Sequence, residues 1–215
     1  MLTNYYALFI SLIMLLFFPV QGEAHPHAFI DMKNKVLVEN NRLTGFSMQW
    51  ILDEPSSSAI LYDLALAQGD RPALQKLIDD VIKNIVQEHY FSYLFNKKGD
   101  KIKYTSTPRN YGMKSSGTQV LYYFDFMLSK PPLLADDDFE LTTYDPTYYV
   151  SMYYDEPIKS AVDFSALPPN CTGRVVAPQV DEKMKQYAAS LDRNQRDEDA
   201  SLGEVFAQKV IISCK

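Results

Sequence analysis

The sequence contains few of the residues on which catalytic and metal-storing proteins depend. Of its 215 residues, three are histidine and two are cysteine. It has no G-x-S-x-G nucleophile motif, no H-E-x-x-H zinc motif and no phosphate-binding loop. Serine catalysis needs a histidine as base, and only His89 lies outside a histidine pair near the N terminus. We therefore expect a protein that is not an enzyme.

The sequence also lacks an excess of positive charge. It has 21 Lys and Arg against 27 Asp and Glu, for a net charge of −6. No basic patch stands out, which argues against nucleic acid or an anionic membrane surface as a partner. The composition, 47% hydrophobic and 22% charged, is that of a globular protein with a packed core.

Only one apolar run is long, and it lies at residues 7–20. Its length is that of a signal-peptide core rather than a membrane-spanning helix. Small residues at Gly22 and Ala24 predict cleavage after Ala24, so residues 1–24 are interpreted as a signal peptide. No Lys or Arg precedes the run, and an uncleaved N-terminal anchor is the alternative. The remainder, residues 25–215, is predicted to be a single domain in the periplasm.

The two cysteines are Cys171 and Cys214. An even number of cysteines in an exported protein predicts one disulfide, because the compartment is oxidising. The alternative is that both thiolates bind a metal ion.

Hydrophobic patterns predict a strand hairpin followed by two helices. Residues 27–39 and 42–54 are predicted strands around a tight turn at Asn40 and Asn41. The serines after Pro55 predict the N-cap of a first helix. A second helix is predicted from Arg71 to about His89. Its apolar residues recur at helical spacing: Leu74, Leu77, Ile78, Val81, Ile82 and Ile85.

From Tyr90 onward the pattern changes to that of strands. The predicted strands are 90–95 and 101–106, which form a hairpin, then 118–129, 138–145 and 147–155. Residues 180–195 are predicted to be helical, and the chain closes with a helical turn and a strand. The fold class is therefore α+β, mainly antiparallel β-sheet with an inserted helix pair and a C-terminal helix.

The strongest candidate site is the start of the mature chain, His25-Pro26-His27. A terminal histidine offers its α-amine and Nδ1 in one chelate ring, and His27 adds a third nitrogen. These ligands suit zinc, copper and nickel. Pro26 has no amide N–H, so binding through consecutive deprotonated amides is blocked at that residue.

The predicted hairpin places carboxylates beside these histidines. With a two-residue turn, His27 faces Glu54 and Ala28 faces Asp53, while Asp31 faces Trp50. Two imidazoles and one or two carboxylates would form a zinc site, and a slip of one residue would exchange Asp53 for Glu54.

Each of these residues also has a structural interpretation. His27 can be a hydrogen-bonded strand residue, Glu54 an acid at a helix start, and Asp31 a turn cap. His89 is interpreted as a partner for the C-terminal dipole of the long helix, with metal binding as the alternative.

Five segments together resemble one bacterial family: "HPHAFID" at 25–31, Trp50 to Glu54, "YFSYL" at 90–94, "YDPTYYV" at 144–150 and "FAQKVIISC" at 206–214. The family comprises periplasmic-component-like proteins of an ABC-type transport system and is a domain of unknown function. The resemblance covers residues 25–215.

The resemblance implies a role in metal transport. Family members accompany an inner-membrane permease similar to nickel/cobalt transporters, and one member, ZevA, is linked to zinc acquisition. By analogy, this chain would bind a divalent metal, zinc first and nickel, cobalt or copper as alternatives. His25, His27 and Asp31 match the family's opening motif.

Two other functions remain open. The protein could instead be an interaction module that binds no metal, and its aromatic strands at 120–126 and 147–154 would then form the surface that docks a partner protein. A histidine-brace copper enzyme would need a further imidazole, which His89 alone is free to supply.

Overall fold

The computed structural model describes residues 26–135, 137–191 and 201–215. The predicted signal peptide and His25 therefore lie outside the described residues. The strands are β1 Ala28–Glu39, β2 Arg42–Leu52, β3 Ser92–Asn96, β4 Arg109–Ser116, β5 Gln119–Met127, β6 Asp138–Thr143, β7 Val150–Tyr153, β8 Val162–Asp163, β9 Cys171–Val176 and β10 Lys209–Cys214. The helices are α1 Glu54–Leu66, α2 Arg71–Gln87, α3 Ile158–Ala161, α4 Glu182–Ser190 and α5 Leu202–Phe206, with a short 3₁₀ turn at His89–Phe91.

The strands form two sheets, and the predicted α+β class is confirmed. The six-stranded sheet has the order β4-β5-β2-β1-β7, with β8 also paired to β1, and the other sheet has the order β3-β6-β10-β9. Most pairs are antiparallel, but β1 runs parallel to both β7 and β8. The first strand of the chain thus lies inside its sheet, between β2 and two strands from the second half of the sequence.

The β1–β2 hairpin forms around the predicted turn. Asn40 and Asn41 have φ values of 51° and 57°, the left-handed pair that a two-residue type I′ turn requires and that Asn tolerates. Thr44, the third residue of β2, is an extra residue: Leu37 pairs with Gly45, but Val38 pairs with Leu43. This bulge shifts the register of the rest of the hairpin by one residue.

The two predicted helices follow directly. The N-cap of α1 is Asp53 rather than a serine, and its carboxylate accepts from the Ser56 N–H. In α2, Asp70 caps in the same way, and the predicted apolar stripe packs against the core. The helix ends at Gln87, two residues before its predicted end at about His89.

One hydrophobic core lies between the two sheets. It joins the inward residues of β1, β2 and β5 to those of β3, β6 and β10. Tyr90 lies in its middle, with its ring stacked on Phe124 and Phe126 at centroid distances of 5.8 and 5.2 Å. Truncating a buried aromatic residue of this kind costs about 3–5 kcal/mol, so Tyr90 is a central support of the sandwich.

Tyr90 reaches the core from an unusual backbone. His89, Tyr90 and Phe91 have φ values of 52°, 57° and 49°, a left-handed conformation that costs residues other than glycine about 1 kcal/mol or more each. This turn reverses the chain between α2 and β3 and directs Tyr90 inward while His89 stays exposed.

The later part of the chain differs in detail from the prediction. The arm at 101–106 makes only isolated bridges, from Lys101 to Phe95 and from Tyr104 to Leu128. Strands β4 and β9 were not predicted. The helix predicted at 180–195 is observed as α4, which ends at Ser190, and residues 192–195 of that prediction lie outside the described residues. None of the helices within the described ranges is long and apolar enough to cross a membrane.

Cys171 and Cys214 form the predicted disulfide. They are directly opposed on β9 and β10, with Cα atoms 4.1 Å apart. The alternative in which both thiolates bind a metal is excluded, because both sulfurs are in the covalent bond.

Candidate metal site at the start of strand β1

His27 lies where the described chain enters the first sheet. Its backbone N–H donates to the Tyr149 carbonyl at 2.9 Å, and its ring packs on the Tyr149 ring with centroids 4.9 Å apart. The side chain is half-buried. The position of His27 is therefore fixed by the segment that leads into β7. Its predicted partner ligand, His25, lies outside the described residues.

Strand alternation places His27, Phe29 and Asp31 on the outer face of the sheet, while Ile30 and Met32 point toward the core. Four residues of strand separate the Cα atoms of His27 and Asp31 by about 13 Å. Metal–ligand bonds are only about 2 Å long. We therefore expect Asp31 to act on an ion at His27 through its charge rather than as a direct ligand.

The bulge at Thr44 changes which residues face each other across the hairpin. The structure pairs Asp31 with Ile51 and joins the Asp53 N–H to the Phe29 carbonyl at 3.0 Å. The predicted pairs of His27 with Glu54, Ala28 with Asp53 and Asp31 with Trp50 are therefore wrong by one residue. The error is confined to the register, since both strands were correctly predicted.

Asp53 uses both carboxylate oxygens to hold local structure. Its Oδ1 accepts from the Ser56 N–H at 2.7 Å, which caps α1. Its Oδ2 accepts from the Phe29 N–H at 2.7 Å. The carboxylate thus ties the start of the helix to the end of the hairpin. This structural role explains why an acid stands at this position, with no need for a metal ion.

Glu54 is directed to a different neighbour. Its Oε1 accepts from the Thr118 hydroxyl at 2.6 Å, and Thr118 lies in the turn between β4 and β5. Glu54 is also the first residue of α1, where an acid interacts favourably with the helix dipole. The structural interpretation of Glu54 as a helix-start acid is consistent with these contacts.

Asp31 lies in a negatively charged part of the outer face. Tyr153 is its neighbour on β7. Partial burial raises the pKa of Asp31; the charge of Asp155 adds to this rise, whereas Lys33 and a hydrogen bond from the Asp155 backbone oppose it. The pKa of Tyr153 is also raised, first by burial and then by the charges of Asp31, Asp155 and Asp53. Three carboxylates therefore surround one phenol.

One oxygen of Asp31 is buried and, within the described residues, accepts no hydrogen bond. A carboxylate in such a place lowers stability, because an ionised oxygen loses water without gaining a donor. Across residues 26–135, 137–191 and 201–215, however, no three His, Cys, Asp or Glu side chains are close enough together to hold a metal ion.

His89 belongs to another part of the molecule. It follows α2 in the left-handed turn, so it does not end the helix as predicted. It lines a cleft with Lys101 and Lys103, and neither His27 nor Asp31 lines that cleft.

Comparison with known proteins gives a family. The family model "Protein of unknown function (DUF1007)" matches residues 10–214. This chain belongs to the DUF1007 family. An uncharacterized protein of Haemophilus influenzae (strain ATCC 51907 / DSM 11121 / KW20 / Rd) is 55% identical over 205 residues, which cover 95% of this chain and 98% of the relative. No solved structure matches.

In this DUF1007 protein, sequence reasoning missed Tyr153 and Asp155 as neighbours of Asp31. Their strand was predicted, but its parallel pairing with β1 was not. A local signal was present in the loop before β7, where Asp145 accepts from the Thr147 and Val150 backbone N–H groups. Such a side-chain turn fixes where β7 begins, although it does not reveal which strand β7 pairs with.

Proposed function

We propose that this DUF1007 protein is an exported accessory protein that binds a divalent metal ion and passes it to an inner-membrane permease. Zinc is the first candidate, and nickel, cobalt and copper are alternatives, because imidazole binds all four. The permease would be of the nickel/cobalt transporter type. The resemblance of residues 25–215 to periplasmic-component-like proteins of ABC-type transport systems, among them ZevA, supports this proposal.

The observation that carries the proposal is the position of His27. It stands at the entry to β1, held by Tyr149, with the outer face of the sheet extending away from it. After cleavage behind Ala24, the α-amine and imidazole of His25 would lie two residues away. Two nitrogens of His25 and one of His27 would then lie close together at the entry to the sheet.

The acidic face gives this site a favourable electrostatic environment. Asp31 lies on the same face of the sheet as His27, and the charges of Asp31, Asp155 and Asp53 all act on Tyr153 beside it. Fixed carboxylates raise the local concentration of cations and the rate of their capture. We expect them to attract the ion, and we expect His25 and His27 to bind it. Asp53 and Glu54 are engaged in other hydrogen bonds and are not required as ligands.

The test uses protein exported with its own signal, purified without an N-terminal tag. Intact mass shows whether the chain begins at His25. Calorimetric titration with zinc, nickel and copper then gives stoichiometry and affinity. We expect one ion per chain and an affinity that falls at least about tenfold in His27→Ala, the effect of losing a ligand worth about 1.4 kcal/mol.

His89→Asn is the matched control, since it removes the one histidine outside the proposed site and Asn tolerates left-handed backbone. Its affinity should equal that of the wild type. The proposal fails if the correctly processed chain binds no ion stoichiometrically, or if His89→Asn weakens binding as much as His27→Ala.

The second candidate is a non-metal interaction module. The aromatic strands supply less surface for it than expected, because Tyr122, Phe124 and Phe126 are buried. Two exposed aromatic residues favour it: Phe29 and Tyr149, at 44% and 41% exposure, flank His27. Phe29→Ala should weaken docking of a partner protein while leaving metal affinity unchanged, whereas His27→Ala should do the reverse.

A further inference from the structure

Positive side chains are concentrated in one stretch of this acidic protein. Residues 97–114 contain five lysines and one arginine but a single acid, Asp100, while the whole chain has a net charge of −6. The prediction that no basic patch stands out is therefore wrong for this stretch. The structure brings two of the lysines, Lys101 and Lys103, to the wall of a cleft beside α2.

The cleft has a volume of about 430 Å³, which is in the range of small-molecule binding sites. Lys101, Lys103 and His89 supply its nitrogen groups, and Val86 and Ile102 are among its apolar wall residues. No Asp or Glu is among the residues of the described chain that line it. A cationic rim over an apolar wall is complementary to an anion that carries an apolar body.

The cleft is built on fixed backbone. One wall is the left-handed turn at His89 and Tyr90, and strained conformations of this kind are concentrated at functional sites. The Tyr90 hydroxyl donates to the Thr105 carbonyl at 2.9 Å, so the turn is bonded to the opposite wall. The two walls are thus held at a set separation before any ligand arrives, which reduces the entropy lost on binding.

The lysines retain their capacity to bind a ligand. The Lys101 ammonium lies 4.8 Å from the centre of the Tyr93 ring, which does not line the cleft, so this long side chain changes rotamer to contact a ligand there. Glu88, the acid next to His89 in sequence, raises the pKa of Tyr93 through its charge, as do Asp145 and Glu204, although burial contributes most. Glu88 does not line the cleft, so the ammonium groups there face no carboxylate within the lining.

We propose that this cleft binds a small organic anion, a carboxylate or phosphate on an aromatic or aliphatic body. The anionic group contacts Lys101 and Lys103 together with the hydroxyl of Ser106, and the body lies against Val86 and Ile102. This site is separate from the proposed metal site and does not depend on it.

The test is an NMR titration of the isotopically labelled full mature chain at physiological salt. The probes are phenyl phosphate, inorganic phosphate and phenol, which separate the anionic group from the apolar body. We expect phenyl phosphate to give saturable shifts in the amides of residues 101–106. Inorganic phosphate and phenol should each bind at least about tenfold more weakly, because each lacks one half of the recognised chemistry.

Two double variants make the test specific. Lys101→Gln with Lys103→Gln should weaken phenyl phosphate binding by at least about tenfold, since hydrogen bonds to a charged group are lost. Lys97→Gln with Lys98→Gln removes the same charge from the neighbouring turn, outside the cleft, and should change affinity less than about twofold.

Three results overturn the proposal. The first is an absence of saturable shifts in residues 101–106 up to about 10 mM phenyl phosphate. The second is equal affinity for inorganic phosphate and phenyl phosphate. The third is an equal loss of phenyl phosphate affinity in the two double variants. The third result would mean that phenyl phosphate responds to the overall positive charge of residues 97–114 and not to the cleft.

Discussion

Asp53 offers the clearest test of whether a carboxylate beside the start of β1 binds a metal ion or only holds the local structure. Sequence reasoning placed it in a zinc site, whereas its two oxygens accept from the Ser56 and Phe29 backbone N–H groups at 2.7 Å each. The informative perturbation is Asp53→Ala, which removes both hydrogen bonds and the charge at once.

The magnitude follows from these two contacts. Loss of an N-cap costs about 1 kcal/mol, within a range of about 0.5–2. A hydrogen bond to a charged acceptor contributes about 1.5–3 kcal/mol, but the bond to Phe29 is exposed, so about 1 kcal/mol is the better figure. The free energy of unfolding should fall by about 2–3 kcal/mol. For a domain of this size the thermal midpoint then falls by about 4–12 °C.

Asp53→Asn should show an intermediate effect. Asn caps helices as well as Asp does, but its side chain has one acceptor oxygen instead of two. One of the two backbone N–H groups therefore loses its partner, at a cost of about 1 kcal/mol. Glu54→Gln is the neighbouring control: glutamine keeps an oxygen that can accept from Thr118, and the bond is exposed, so the change should cost less than about 0.5 kcal/mol.

The assay is urea and thermal unfolding of metal-free protein, followed by zinc titration of each folded variant. We expect stability to decrease in the order wild type, Asn, Ala, while zinc affinity changes little. If Asp53→Ala keeps wild-type stability in the absence of metal but loses zinc binding, the structural role of Asp53 is refuted and the original ligand set is restored.

Two further perturbations test other parts of the structure. Partial burial raises the pKa of Asp31 above 3.8, so the ionised form costs stability once the pH exceeds the folded-state pKa. Asp31→Asn should thus raise the thermal midpoint near about pH 7 in EDTA and leave it almost unchanged near about pH 3, where the carboxyl is protonated in both states; a lower midpoint at neutral pH would contradict this account of Asp31. The Cys171–Cys214 bond spans a sequence separation of 43 residues, for which chain entropy gives about 4 kcal/mol. Replacing both by serine should lower the urea midpoint to that of the reduced wild type, and an unchanged midpoint would show that the β9–β10 pairing alone holds this edge.

The parts of the fold that were predictable depend on local chemistry. The Asn40-Asn41 turn specifies its own backbone conformation, and the apolar spacing along α2 specifies which face packs inward. Nothing beyond each segment is needed to interpret these patterns. The disulfide was predictable for a different reason, because two cysteines allow only one intramolecular pairing.

The parts that were missed depend on distant contacts. The bulge at Thr44 arises where its carbonyl accepts from Leu128 and where Gly45 lies against the backbone of Phe126, with no room for a Cβ. Both neighbours are some 80 residues further along the chain. Gly45 is a local sign of such a shift, since a glycine within a strand often marks a bulge, but it does not fix the new register. The carboxylate predicted beside His27 was displaced with that shift.

The acidic face was missed for the same reason. Asp31 meets Tyr153 and Asp155 only because β7 pairs parallel to β1, and no feature of either strand specifies that partner. The left-handed turn was also hidden, because His89 and Phe91 carry no preference strong enough to predict it. Tyr90 is buried in the core at 2% exposure, and that burial, visible only in the folded protein, offsets the backbone cost.

The central place of β1 in its sheet has a consequence for how the protein is made. Ribosomes release the chain from its N terminus, so β1 and β2 emerge early, but β7 and β8 follow only after about a hundred further residues. Throughout that interval one side of β1 exposes unpaired backbone amides and carbonyls, which readily recruit strands from other chains. The nascent protein is thus most prone to aggregation while its second half is still being synthesised, and a chain truncated before β7 should be insoluble even though its hairpin and both long helices are complete.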